Sequence, residues 1–154
     1  MAGTAARVNG LIDAIIARIE AGGGPLGILA VDERDEIPAY VDPGTCFVIP
    51  LVEGKDAMRT PIGGGSLEHQ FSVTIVAYYR YDDIAAGLRP TRDAGYGVLD
   101  LFFGDHDRET IEAVVGEEAL QAYPYDPVLE VGYARITDYV LHWFIATIKL
   151  KVVI

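Results

Sequence analysis

The sequence has few of the features that mark secreted, membrane or metal-binding proteins. Its 154 residues include a single cysteine, Cys46, which excludes an internal disulfide. Cys46 lies in the apolar run CFVIPL, a setting typical of a buried and inert thiol. No stretch reaches the roughly 18 uninterrupted apolar residues of a membrane span, and the start MAGTAARVNG lacks the apolar core of a signal peptide. We therefore expect a soluble cytoplasmic product with no membrane partner.

Basic residues are also scarce. Lysine and arginine number 12 against 23 aspartates and glutamates, which gives a net charge of −11. This balance argues against a surface that wraps nucleic acid. It is compatible with nucleic acid that passes by without being held, because an acidic wall repels phosphates.

Charged residues of either sign make up only 23% of the chain, whereas hydrophobic residues make up 51%. The length predicts one domain spanning 1–154, and a domain of this size has much surface to cover with polar groups. Either its core is unusually well filled, or part of its apolar surface is buried against other subunits. We favour the second interpretation.

The first element is an amphipathic helix over residues 4–21. The run GGGP at 22–25 ends it, because glycine adopts the left-handed cap and proline cannot continue a helix. Apolar residues recur on one face at the helical spacing, namely Val8, Leu11, Ile12, Ile15, Ile16 and Ile19.

The region after this helix contains turns and predicted strands. Residues 26–31 could form a short strand, and the charged run DERDE at 32–36 is most simply a solvated loop. Residues 45–52 predict a strand in which Pro50 indicates an edge position or the strand's end. A 13-residue flexible loop, the arm of a long hairpin, is then expected at 53–65. From Ser66 the apolar residues alternate regularly, which predicts a long, half-buried strand.

Helical patterns return between residues 82 and 127. The segments AGYGVLDLFF at 94–103 and DRETIEAVV at 107–115 have helical spacing, and YPYDP at 123–127 breaks the chain. Two strands then complete the pattern, at 128–135 and 139–153.

The element order is helix, strand, strand, helix, strand, strand. Two hairpins separated by a helical segment predict an α+β fold with an antiparallel sheet of about four strands and helices packed on one face. In the middle of the last strand, Leu141, Trp143 and Ile145 alternate with other apolar residues, so both faces of that strand are apolar. Either a second layer of this chain or a neighbouring subunit must cover the second face.

The glycine-rich sequence GGGS at 63–66 does not fit a phosphate site or a nucleophile. A phosphate loop needs a lysine after its glycines and a helix after that, whereas here a strand follows and no lysine is present. Ser66 lacks the G-x-S-x-G frame of a nucleophile elbow. We predict no catalytic residue and no cofactor-binding residue here.

The histidines and tyrosines give weak signals. His69 and His142 fall on apolar sides of their strands, where core or interface histidines are more common than general bases. The cluster DHD at 105–107 is most simply a helix cap, and no metal-ligand spacing is recognisable. Tyr78, Tyr79 and Tyr81 beside Arg80 resemble a platform for single-stranded nucleic acid, but the acidity of the chain opposes that function.

The order and length of the elements resemble the tail terminator proteins of tailed bacteriophages, which are also described as tail completion or head–tail joining proteins. The resemblance covers nearly the whole chain. It rests on the length of the chain, the order of its elements and their apolar patterning, and includes no signature motif. The stretches that carry it are GLIDAIIARIEA (10–21), HQFSVTIVAYYRYDD (69–83), GVLDLFFGD (97–105) and DYVLHWFIATIKLKVVI (138–154).

This resemblance implies a structural virion protein and not an enzyme. It implies a homo-oligomeric ring, usually a hexamer, that caps the tail tube, stops its growth and docks the connector or neck protein of the head. DNA would pass through an acidic lumen, and no cofactor, metal or catalytic residue is implied. Such a protein would be assembled in the host cytoplasm and found in the tail or neck of the virion.

Two sets of residues follow as hypotheses. Tyr78, Leu141, Trp143 and Ile145 are expected at the subunit interface. In the arm at 53–65, the residues expected to contact a neighbouring ring are Lys55, Met58, Arg59 and Ile62.

Two alternatives remain open from the sequence. One is another neck or head–tail adaptor protein. The other is a small oligomeric α+β enzyme or ligand-binding domain that uses His106 with Asp105 or Asp107.

Overall fold

The computed structural model describes residues 4–37, 42–51, 58–63, 66–103 and 121–153. Within these residues the chain forms two long helices and six strands, together with one 3-10 turn at Gly24–Leu26. In chain order the helices and strands are α1 (Thr4–Gly22), β1 (Ala30–Glu33), β2 (Thr45–Leu51), β3 (Met58–Gly63), β4 (Ser66–Tyr81), α2 (Ile84–Phe103), β5 (Gln121–Ile136) and β6 (Tyr139–Val153).

The strands form one mixed sheet, so the predicted α+β class is confirmed. Five strands lie side by side in the order β1-β2-β4-β6-β5, and β3 pairs with β4 beyond the end of β2. β1 runs parallel to β2, and the other pairs are antiparallel. The predicted antiparallel sheet of about four strands was therefore wrong in strand number and in the direction of β1, and the predicted chain order lacks β1 and β3.

The expected loop at 53–65 is in part a strand. β3 pairs with the first residues of β4, from Met58 opposite Gln70 to Gly63 opposite Ser66. Since β2 pairs with Ser72 to Ala77 of β4, β2 and β3 lie in succession along the same edge of that long strand. Ser66 is thus the first residue of the returning strand of a hairpin.

β5 begins earlier than the sequence indicates, because YPYDP lies within the strand and does not end it. The pairing with β6 shifts register between Tyr125 and Val128, and Asp126 in this bulge has a left-handed backbone with φ 48°. Proline is tolerated in edge strands and at bulges, and β5 is the last strand of the described sheet with a bulge between Tyr125 and Val128.

The helices follow from their local sequences. α1 forms over Thr4–Gly22, which confirms the prediction from its apolar spacing. α2 begins at Ile84, ten residues before the predicted segment at 94–103. Its first turn is capped by Asp83, whose carboxylate accepts a hydrogen bond of 2.7 Å from the backbone N–H of Ala86. The predicted helix at 107–115 lies outside the described residues.

Both helices pack on the same face of the sheet, which we call the helix face. Alternate residues of β2, β4 and β6 point to this face because successive strand residues project to opposite sides. The largest fully buried side chains of this core are Leu11, Ile19, Ile75, Phe102, Phe144, Ile148 and Leu150.

Two glycines provide a matched test of this packing. At Gly87 an added Cβ would overlap the ring of His142, whereas at the exposed Gly10 it would meet nothing within 4 Å. Gly87→Ala should therefore lower the free energy of unfolding by roughly 1–3 kcal/mol through overpacking. Gly10→Ala should raise it by about 0.5–1 kcal/mol because alanine favours the helix. Urea denaturation measures both, and a stable Gly87→Ala variant would show that α2 does not pack closely on β6.

Candidate assembly surface

The side of the sheet opposite the helices, which we call the outer face, carries a second apolar cluster. No described helix lies on this face. Consecutive residues of each strand divide between the two faces, so Phe144 and Ala146 of β6 join the helix-face core while their neighbours join this cluster. The outer-face cluster consists of Phe47, Ile49, Val76, Tyr78, Leu141, Trp143 and Ile145.

Strand pairing aligns these side chains in rows across the sheet. Val76 of β4 lies opposite both Phe47 of β2 and Ile145 of β6. In the next row, Tyr78 lies opposite Trp143, and their ring centroids are 6.2 Å apart. Tyr78 also meets Phe47 edge to face at 6.4 Å. Aromatic pairs at these separations stabilise neighbouring strands beyond the area that they bury.

The four predicted interface residues therefore lie together on one surface. Leu141, Trp143 and Ile145 are half-buried, so each keeps apolar surface that a neighbour could cover. Tyr78 is more deeply placed, with only 9% of its surface exposed, and desolvation raises the pKa of its hydroxyl. Tyr78 consequently packs beside Trp143 and supports the half-buried row, and it offers little surface for a contact of its own.

Sequence reasoning missed three members of the cluster, namely Phe47, Ile49 and Val76. All three are buried and lie on the outer face through β2 and β4. The signal was the run CFVIPL, in which both strand faces are apolar, as they are in the middle of β6. Which of its residues share a face with Trp143 depends on the pairing register, which the sequence does not display.

Polar groups border the outer-face cluster. At one end the guanidinium of Arg80 lies 4.3 Å from the centre of the Tyr139 ring, a cation–π contact. At the other end the hydroxyls of Thr74 and Thr147 lie 3.5 Å apart, and the Lys149 ammonium lies 3.7 Å from an Asp126 carboxylate oxygen. An apolar centre with a polar rim is the composition of protein–protein interfaces.

The tyrosines of β4 do not form the aromatic platform that their spacing suggested. Tyr78 lies on the outer face, whereas Tyr79 belongs to the helix-face core and Tyr81 packs against it. Bases could not stack on all three from one side, since the sheet separates them.

The predicted arm residues are only partly placed. Met58, Arg59 and Ile62 lie in β3, which pairs with the beginning of β4 and not with the part that carries the outer-face cluster. Lys55 lies outside the described residues. The structure thus places these three residues at the far end of the hairpin and apart from the predicted interface residues.

His142 is a core histidine. It is fully buried beneath α2, and its ring lies 5.4 Å from the Tyr81 ring and 5.7 Å from the Tyr133 ring. Its Nε2 lies 3.3 Å from the carbonyl oxygen of Asp83, which fixes the ring against the start of α2. This placement matches the core interpretation of the sequence, since the ring has no exposed surface.

A groove of about 420 Å³ lies between the 3-10 turn, β4 and α2. Its ionisable lining residues are Tyr79, Tyr81 and Asp93. The Tyr79 hydroxyl donates a hydrogen bond of 2.8 Å to the Leu26 carbonyl oxygen, and desolvation by burial raises its pKa. Asp93 supplies the one carboxylate of this lining, and its Oδ1 lies 4.0 Å from Nε of Arg92.

The part of the chain that the structure describes contains neither a cluster of metal-binding side chains nor a membrane-spanning helix. No three histidine, cysteine, aspartate or glutamate side chains are grouped there to hold a metal ion. The DHD cluster at 105–107, with His106, lies outside the described residues. Nor is any described helix long and apolar enough to cross a bilayer.

A comparison with known protein families finds none that the sequence matches, and a comparison with curated proteins finds no similar protein.

Proposed function

We propose that the chain is a ring-forming structural protein of a phage virion, a tail terminator that caps the tail tube and joins it to the head. The observation that carries the proposal is the half-buried row of Leu141, Trp143 and Ile145 on the outer face. In a single chain this row keeps apolar surface exposed, whereas α1 and α2 cover the helix face of β2, β4 and β6. Such a row favours association with a neighbouring subunit.

The energetics of that row favour assembly. Fully burying one large apolar side chain is worth roughly 1.5–3 kcal/mol, so three partly exposed ones contribute a share of this at every subunit contact. The contact must join two different patches, because only a head-to-tail contact repeats around a closed ring. The outer face of one subunit would accordingly meet another surface of the next, usually six times around the ring.

Charge fits a ring through which DNA passes. The net charge of −11 repels phosphates from the protein as a whole. Among the described residues, the run Asp32 to Glu36 at the β1 edge is exposed and carries four carboxylates and one arginine. In the proposed ring this acidic edge lines the lumen. The tail tube protein and the connector protein of the head would bind the two ends of the ring.

Electron microscopy of the purified chain tests the proposal. Negatively stained particles should include closed rings, and added tubes of a tail tube protein should carry one ring at their ends. A chain that stays at or below the size of a dimer at every concentration, and that leaves tube ends bare, would overturn it.

Ile145→Lys should abolish the rings and leave the fold intact. The new ammonium would lie directly opposite Glu130 of β5, so a cross-strand ion pair can compensate within the single chain. Burial of that charge against a neighbour costs several kcal/mol, so ring assembly should weaken by at least about a hundredfold, since each 1.4 kcal/mol is tenfold in affinity. Light scattering measures ring size, and circular dichroism monitors the fold.

The matched control is Tyr96→Lys on α2. Tyr96 is 54% exposed and lies away from the outer face, so the same change from apolar to cationic should leave ring assembly unaltered. Loss of rings in both variants would mean that added charge, and not the outer-face row, controls assembly.

A further inference from the structure

β5 is a long edge strand with apolar side chains exposed on both of its faces. It is the last strand of the described sheet, and it pairs with β6 on one side only. An edge with these properties is a template for pairing with another strand. The exposed large hydrophobic residues of β5 are Val128 (52%), Val131 (38%), Tyr133 (47%) and Ile136 (43%).

These four residues are arranged symmetrically about Gly132. Val131 and Tyr133 stand one position to either side, and Val128 and Ile136 stand four positions to either side. The regular part of the strand has the same centre. The bulge at Tyr125–Val128 bounds it on one side and the turn before β6 on the other, which leaves residues 128–136 with Gly132 in the middle.

We propose that β5 pairs antiparallel with β5 of a second copy of this chain, about a two-fold axis at Gly132. A two-fold contact uses the same patch on both copies and therefore requires a patch that is complementary to itself. In this register Val128 lies opposite Ile136 of the other copy, and Val131 lies opposite its Tyr133. Each exposed apolar side chain of the strand thereby gains an apolar cross-strand neighbour.

Charge supports both the partner and the register. Residues 128–136 carry one negative group, Glu130, and one positive group, Arg135, so this edge is neutral in a chain with a net charge of −11. The proposed register sets Glu130 opposite Ala134 and Arg135 opposite Leu129 of the other copy. Pairing centred on either charged residue would oppose like charges, which destabilises a strand pair. Within residues 128–136 a second acidic copy can thus pair with this edge without opposing like charges.

The centre of the contact is built for close approach. A Cβ on Gly132 would lie 2.7 Å from the Trp143 ring, so the indole covers the position where a side chain would stand. In the pair, the two glycines lie side by side and the indoles approach from either side of the axis. The apolar surface of the outer face then runs on from one copy to the next across the joined sheets.

This pairing goes beyond the proposed ring and does not depend on it. The two-fold axis stands perpendicular to the sheet, so the helices of both copies lie on one side and the two outer faces lie on the other. The outer face stays accessible for the head-to-tail contact of a ring, and pairing caps an edge strand that could otherwise add strands without limit. Pairs that form without rings would uphold this inference and refute the ring.

Cysteine cross-linking tests the register. Val128→Cys and Ile136→Cys are made as separate variants, mixed after mild unfolding and refolded together, then oxidised. The mixture should give about tenfold more covalent dimer than either variant alone. A disulfide needs Cα atoms within about 7 Å, and only the mixture sets two cysteines opposite each other. Two copies of Val128→Cys would hold their thiols eight residues apart, roughly 27 Å along the strands. The natural Cys46 is fully buried and does not compete.

The control mixture combines Val128→Cys with Val131→Cys, which point to opposite faces and should not cross-link. The experiment is repeated with Ile145→Lys added to both variants, which removes the contact proposed for the ring. Covalent dimers in that background support the two-fold contact alone. If the mixture forms no more dimer than its components, or if one variant cross-links with itself, the proposed pairing is wrong.

Discussion

Phe144→Ala should lower the free energy of unfolding by about 3–5 kcal/mol, a large part of the stability of a small domain. Phe144 has no exposed surface and lies in the middle of the helix-face core. Its ring centroid lies 6.2 Å from that of Tyr79. On its other side, its Cβ and Cγ lie 3.2 Å from the position that a Cβ on Gly95 would take. α2 thus crosses β6 with almost no space between them.

The loss should be at the upper end because the cavity cannot close. α2 is held close to β6 at Gly87 as well as at Gly95, and the ring of His142 fills the space below Gly87. A helix fixed at two points along one strand cannot move inward to fill the space that the ring leaves. The cost of a cavity grows with the volume that remains empty.

Chemical denaturation followed by the fluorescence of the single tryptophan, Trp143, measures this loss. Lys149→Ala on the same strand is the control, since the side chain is exposed and its ion pair with Asp126 is worth less than about 1 kcal/mol. A Phe144→Ala variant that loses less than about 1 kcal/mol would mean that the core repacks around the gap.

The elements that could be predicted from the sequence are those whose apolar residues recur at a regular period over many residues. α1 and the long strands β4 and β6 show such periods, because regularly spaced positions along each of them belong to the helix-face core. β1 could not be predicted in this way. Its four residues are exposed apart from the half-buried Val31, so no alternation exists to be read. β3 and the first part of β5 contain proline, which normally indicates the end of a strand, and both lie at the margins of the sheet where proline is tolerated.

Only part of the outer-face cluster could be predicted from the sequence. Leu141, Trp143 and Ile145 could be recognised within one strand, because both faces of β6 are apolar there. Phe47, Ile49 and Val76 join them only through the pairing of β2, β4 and β6. The symmetry of β5 about Gly132 depends on a bulge that sets where the regular strand begins. Pairing register and bulges arise from contacts between distant parts of the chain, which local periodicity does not contain.

The second large effect should appear at alkaline pH. Burial raises the pKa of the Cys46 thiol from 9.0 to about 12 in the folded chain. Between these values the unfolded chain releases the proton and the folded chain keeps it, so the unfolded state gains stability as pH rises. The contribution of the protonated Cys46 thiol to the free energy of unfolding is fully present below pH 9.0. Above pH 9.0 the free energy of unfolding falls by roughly 1.4 kcal/mol per pH unit. Over the whole interval Cys46 alone should cost about 4 kcal/mol.

Urea denaturation at several pH values from 8 to 11 measures this slope, with Cys46→Ala as the test variant. The alanine variant should be less stable than the parent chain at pH 8, because it loses buried volume, but its stability should fall less steeply above pH 9. Parallel slopes for the two chains would contradict the assignment to Cys46.

A part of the slope should remain above pH 10, where Tyr79 acts in the same direction, because burial raises its pKa from 10.0. Tyr79→Phe should remove that part and cost about 1 kcal/mol at neutral pH, since its hydrogen bond to Leu26 is lost. A negative charge on either group raises the pKa of the other, so the double variant should recover less than the sum of the two single effects.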